Sequence, residues 1–130
     1  MTAFDPLETF VHLPDGPAAT LLEVTPDFWA KLESRSDLQA GRLVSAYRFT
    51  EDWTSWERHP AGDELVFQLA GALDLVLDEP SGERVVALRG RSAAVIPRGV
   101  WHTARVLAPS EAIFVTRGEG TENKPRRGNA

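Results

Sequence analysis

The sequence predicts an all-β fold, a sandwich or barrel of short strands with one short helix near the N-terminus. Two observations predict it. Most of the chain reads as short runs rich in Val, Leu, Ile, Phe and Trp, the residues that suit a pleated, half-buried surface. Between the runs stand residues that supply a fixed or positive φ for tight connections: Pro60-Ala61-Gly62-Asp63, Gly71, Pro80-Ser81-Gly82, Gly90, Pro97-Arg98-Gly99 and Pro109-Ser110. The strands predicted are Leu7–Leu13, Ala18–Val24, Arg42–Thr50, Trp53–His59, Glu64–Leu69, Ala72–Leu77, Arg84–Leu88, Ser92–Ile96, Trp101–Leu107 and Ala112–Thr116.

One segment breaks the pattern. Thr25–Leu32 predicts a two-turn helix with Thr25 as N-cap, Pro26 at the first helical position and Asp27 in the first turn. Residues 1–40 are therefore expected to be N-terminal strands and a helix packed on a barrel spanning 41–117. Gly118–Ala130, rich in Gly, Pro and charge with no apolar period, is expected to be a flexible tail. With 130 residues the chain can bury a core without disulfides or a structural metal. It has no cysteine, which excludes thiol catalysis and Cys-based zinc sites. A net charge of −5 argues against nucleic acid or an acidic membrane as partner. No apolar run is long enough to span a membrane, and the N-terminus lacks a signal peptide's basic and apolar regions. A cytoplasmic protein is the expectation.

The chemistry concentrates in Trp56-Glu57-Arg58-His59-Pro60-Ala61-Gly62-Asp63-Glu64 and, further on, Pro97-Arg98-Gly99-Val100-Trp101-His102. In a strand, residues two apart share a face, so Glu57 and His59 project together. A four-residue turn follows, Glu64 opens the next strand, and His102 starts a later one. If neighbouring strands bring these four inside a barrel, two imidazoles and two carboxylates face one another, a set suited to Fe(II), Mn(II), Zn(II) or Ni(II). His12 belongs to neither stretch and is read as structural or exposed.

These stretches resemble the two motifs of the cupin superfamily. The first reads Glu57-x-His59, four residues, Glu64, six residues, Gly71. The second reads Pro97-Arg98-Gly99-Val100-Trp101-His102, with Gly90 as its leading glycine. The resemblance implies a double-stranded β-helix (jelly-roll) barrel holding one divalent metal through Glu57, His59, Glu64 and His102. The chain departs from the family pattern at three points. Glu57 stands where the family has its first histidine, Val106 where an asparagine often follows the second motif, and the first motif's leading glycine is absent. Two arrangements stay open: all four residues coordinate, or Glu57 swings away as a catalytic base and leaves two histidines and one carboxylate.

Strand alternation places Trp53, Val66, Gln68 and Ala104 on the ligand face with Tyr47 nearby, an apolar pocket for a small organic ligand. The opposite parity places Trp56, Arg58, Trp101, Thr103 and Arg105 outward, and the two tryptophans suggest a contact face for a homodimer. The functional expectation is a metal-dependent enzyme of oxygenase or isomerase type. The alternatives are a non-catalytic ligand- or metal-sensing module and a metal-free structural barrel.

Overall fold

A computed structural model describes residues 2–127. Its strands are β1 (Thr9–Leu13), β2 (Thr20–Glu23), β3 (Arg42–Phe49), β4 (Ser55–Arg58), β5 (Glu64–Glu79), β6 (Gly82–Arg89), β7 (Ser92–Ile96), β8 (Trp101–Thr116) and β9 (Glu122–Pro125). Helix α1 (Phe28–Ser34) and a 3-10 turn (Ser36–Leu38) lie between β2 and β3. All the pairings are antiparallel: β2-β1-β3-β8-β4-β9 in one path, with β5 joining β6, β7 and β8. The molecule is all-β, a jelly-roll barrel.

Two long strands make the barrel. The sequence suggests separate strands on either side of Gly71 and on either side of Pro109, but each pair is one strand carried through a bend. The β5–β8 register slips between Gln68 and Leu73, so the two strands twist and turn together. Gly71 permits this with φ of +104°, and a Cβ there would run into the Ser110 hydroxyl and the Pro109 carbonyl. Because of the bend, the first half of β5 pairs with β7 and the end of β8, while its second half pairs with β6 and the start of β8. The curl is measurable. His102 pairs with Leu77, thirteen positions along β5 from Glu64 and roughly 40 Å away if the strand ran straight. Yet the Glu64 and His102 side chains lie 3.3 Å apart.

Inside the curl, Val66, Leu73, Leu75, Leu77, Leu88, Ile96, Ala104, Ala112 and Phe114 form one buried cluster. Burial of this kind stabilises by roughly 1.5–3 kcal/mol per large side chain. A second, smaller cluster joins α1 to the barrel, with Phe10 edge-on to Phe28 at 5.1 Å and to Tyr47 at 5.5 Å. The helix starts later than the sequence suggests, after Asp27 rather than Thr25. The Thr25 hydroxyl donates to the Asp27 carboxylate at 2.7 Å, so it caps no backbone N–H.

The C-terminal segment differs most from expectation. Part of the expected tail, Glu122–Pro125, forms β9 and adds a strand outside β4. Lys124 then lies 4.3 Å from the Trp101 ring, and Arg58 lies 4.9 Å from it. Trp101, one of the two tryptophans of the face from which a homodimer was expected, is thus met by cations of the same chain. Thr103, expected outward, is buried and donates its hydroxyl to the Ser55 carbonyl at 2.9 Å. Gly128–Ala130 lie outside the described residues.

Candidate metal centre

Glu57 sits on β4 directly opposite His102 on β8. His59 follows β4 by one residue, and Glu64 opens β5 after the turn through Pro60 and Gly62. The two motif loops are tied to each other. The Gly99 N–H donates to the His59 carbonyl at 3.0 Å, and the Arg98 N–H donates to the Asp63 carboxylate at 2.8 Å. This fixes His59 relative to His102 although the sequence separates them widely.

The four side chains meet. His59 Nε2 lies 3.1 Å from Glu64 and 3.7 Å from Glu57. His102 Nε2 lies 3.3 Å from Glu64 and 3.8 Å from Glu57. The ligand atoms of Glu57, His59 and His102 fall within 4.8 Å of one another. His59, Glu64 and His102 are buried, whereas a third of the Glu57 side chain is exposed, so Glu57 marks the open side.

Hydrogen bonding orients the donors inward. The His102 Nδ1–H donates to the Val100 carbonyl at 3.0 Å, which leaves Nε2 as the ring atom facing the site. His59 Nδ1 pairs with the Thr121 hydroxyl at 2.8 Å, with the same consequence. Glu64 accepts the Thr116 hydroxyl at 2.5 Å on one oxygen. What remains are three buried atoms with no hydrogen-bond partner among the described residues: His59 Nε2, His102 Nε2 and Glu64 Oε1. Buried polar atoms are rarely left so. With Glu57 they make a group of two imidazoles and two carboxylates that could hold a divalent ion, the carboxylates matching its charge.

The electrostatics agree. Burial works to raise the Glu64 pKa, but the imidazoles of His102 and His59 outweigh it and hold the carboxyl at about 2. Burial works to lower His102, and Glu64 outweighs it, so His102 is raised. Glu57 is raised by burial first and by the charge of Glu64 second, against the two imidazoles.

No family model matches this chain, and no curated protein matches it. Solved structures do. Oxalate oxidase superposes over 62% of this chain and 44% of its own, with a TM-score of 0.50 and 19% identity. Hydroxypropylphosphonic acid epoxidase from S. wedmorenis does so over 58% and 43%, with a TM-score of 0.50 and 15% identity. A cupin-2 domain containing protein from Shewanella frigidimarina covers 65% of this chain and 71% of its own, at a TM-score of 0.48 and 18% identity. The chain has the cupin fold. At these identities the likeness establishes the barrel and not a reaction. The match takes in less than half of the oxidase and epoxidase chains.

The cupin barrel places the sequence-predicted pocket residues unequally. Trp53 stands beside the site, its ring 6.3 Å from that of His102, and its buried Nε1 has no partner among the described residues. Tyr47 belongs to an aromatic wall with Phe49, Trp53 and Phe114, at ring separations of 5.6–6.0 Å between neighbours. Burial pushes the Tyr47 hydroxyl pKa up against an opposing effect of Ser45, and the charges of Glu57 and Glu64 add to the rise. Val66 and Ala104 face inward but are fully buried in the core. Gln68 lies at the far end of the same strand face, where its amide donates to the carbonyls of Gly71 at 3.0 Å and Gly90 at 2.7 Å. That amide braces the bend. Sequence reading missed Thr121 and Thr116, which hold His59 and Glu64. A hydroxyl next to a ligand leaves no spacing signal when it comes from a distant strand.

Proposed function

We propose that this cupin binds one divalent metal ion through His59, Glu64 and His102, with Glu57 on the open side, and acts as a metal-dependent enzyme on a small organic molecule. The observation that carries the reading is the set of three buried, inward-facing atoms of His59, Glu64 and His102 that have no hydrogen-bond partner among the described residues. Fe(II), Mn(II), Zn(II) and Ni(II) all suit two imidazoles with carboxylates. One of the solved epoxidase structures is an Fe(II) form with an alternative substrate, which makes an oxygenase-type reaction one direction and an isomerase-type reaction the other. A bound ion supplies Lewis acidity or redox capacity.

The chain's own groups define the rest of the proposal. Glu57, the most exposed of the four, is placed to take a proton from a substrate entering on its side. The wall of Tyr47, Phe49, Trp53 and Phe114 excludes water and favours an apolar or aromatic substrate body. The Trp53 Nε1–H is a donor available for a substrate oxygen.

A second reading, a non-catalytic metal- or ligand-sensing module, is favoured by packing: Val66 and Ala104, expected to line a pocket, are filled core. The two readings separate on water access. Elemental analysis of untagged protein, and calorimetric titration with the four ions, is expected to show one ion per chain, lost in His59→Ala and His102→Ala. Water-proton relaxation of the Mn(II) form then reports exchangeable water in an enzyme and none in a closed sensor site. Failure of all four ions to bind ends both readings.

A further inference from the structure

The strand that carries Glu57 and leads to His59 shares few ladder positions with the barrel proper, which holds it besides through the Thr103–Ser55 and Gly99–His59 hydrogen bonds. β4 pairs with β8 at one position, Glu57 with His102. On its other edge it pairs with β9 at four: Ser55 with Pro125, Trp56 with Lys124, Glu57 with Asn123, and Arg58 with Glu122. The C-terminal segment adds further ties. Arg58 meets Glu122 at 2.7 Å, the Arg126 N–H donates to the Thr54 carbonyl at 2.9 Å, and the Arg126 guanidinium reaches the carbonyls of Trp53 and Ala104 at 3.2 Å. The two histidines differ in the same sense. His102 is oriented by a carbonyl two residues away, whereas His59 is oriented by Thr121, 62 residues further along the chain.

We infer that the C-terminal segment Thr121–Arg126 is a clasp that completes the metal site, with Thr121 as positioning residue for His59, so that docking of β9 and metal binding are coupled. The inference rests on the metal reading above. The physical route is short. A metal-bound Nε2 requires the proton on Nδ1, and the Thr121 hydroxyl accepts it; that bond fixes both the tautomer and the ring angle. With β9 undocked, His59 loses its partner and β4 loses four of its five ladder positions. By linkage, an ion that favours the docked arrangement holds β9 in place to the same extent that β9 favours the ion.

The test uses full-length chain, stripped of metal and titrated calorimetrically with Zn(II) and with Mn(II), with hydrogen exchange followed at residues 122–126. Thr121→Val keeps the shape of the side chain and removes the acceptor. It is expected to weaken binding about 10- to 100-fold, the range for loss of a ligand's outer hydrogen bond. Thr121→Ser restores binding to within a few-fold, which a packing role for the methyl group would not produce. Lys124→Pro, which removes an N–H from the β4–β9 ladder, weakens binding without touching any ligand. In wild type, metal slows exchange at 122–126. Binding by wild type and Thr121→Val with equal affinity, and exchange at β9 indifferent to metal, overturns the clasp and leaves the metal reading standing. No binding by wild type overturns the metal reading and the clasp with it.

Discussion

Three histidines occur in this chain, and burial does not tell them apart: 3% of His12, 6% of His59 and none of His102 is exposed. The second ring nitrogen does. His12 Nε2 is paired with the Ala40 carbonyl at 2.7 Å, and this bond holds the chain just before the tight turn at Gly41. His59 and His102 use Nδ1 for support and keep Nε2 unpaired beside Glu64. A buried imidazole whose outward nitrogen is anchored and whose inward nitrogen faces a carboxylate is oriented to share a cation with it. His12→Leu is therefore expected to destabilise the fold by about 0.5–1.5 kcal/mol, the net worth of the lost hydrogen bond to the Ala40 carbonyl. It should leave metal affinity unchanged. Urea denaturation and calorimetric titration of the same protein check both halves. A loss of affinity would mean that the Ala40 contact reaches the site through β1 and β3.

At the scale of elements, the bend in β5 and β8 decides whether Glu64 reaches His102 at all. Gly71 sits at that bend with φ of +104° and with the Pro109 carbonyl and Ser110 hydroxyl where a Cβ would be. Gly71→Ala is expected to cost at least about 1–3 kcal/mol from backbone strain alone. Because the bend sets the approach of the two halves of β5, metal affinity should fall as well, read by the same titration. Unaltered stability and affinity would show that the bend is set elsewhere, for instance by the Gln68 amide. This region also shows why part of the fold was legible and part was not. The apolar alternation on either side of Gly71 marks both halves of β5, but a bulge interrupts the two-residue period, so one strand reads as two. That the four candidate ligands would converge was legible because local spacing fixes Glu57, His59 and Glu64, and the Pro-x-Gly turn fixes His102. β9 was not. Glu122-Asn123-Lys124-Pro125 has no apolar face to announce it; it is held by ladder bonds, the Arg58–Glu122 pair and the Lys124 contact with Trp101. Only the register of β4 reveals those partners.

At the scale of the whole molecule, the proposed metal ligands come from opposite parts of the curled sheet: Glu57 and His102 from the β4–β8 pair, Glu64 from the start of β5, His59 from the turn between. An ion held by all of them cross-links parts of the barrel otherwise joined through the bend. Folding is expected not to require it, since Val66, Leu73, Leu75, Leu77, Leu88 and Ile96 form an apolar core of their own. Its contribution is one of mass action: a ligand that binds only the folded chain stabilises it by about 2.7 kcal/mol at a hundredfold excess over Kd. For a domain of this size that corresponds to a rise in Tm of about 10 °C. The expected result is a cooperative transition in the metal-free protein that moves up by about this amount with metal and returns on adding a chelator. His102→Ala should melt cooperatively and show no shift, because one of the two imidazole donors is gone. If metal-free protein instead shows no cooperative transition, the ion is a folding element and the core alone is insufficient. If wild type and His102→Ala shift equally, the ion binds elsewhere on the molecule.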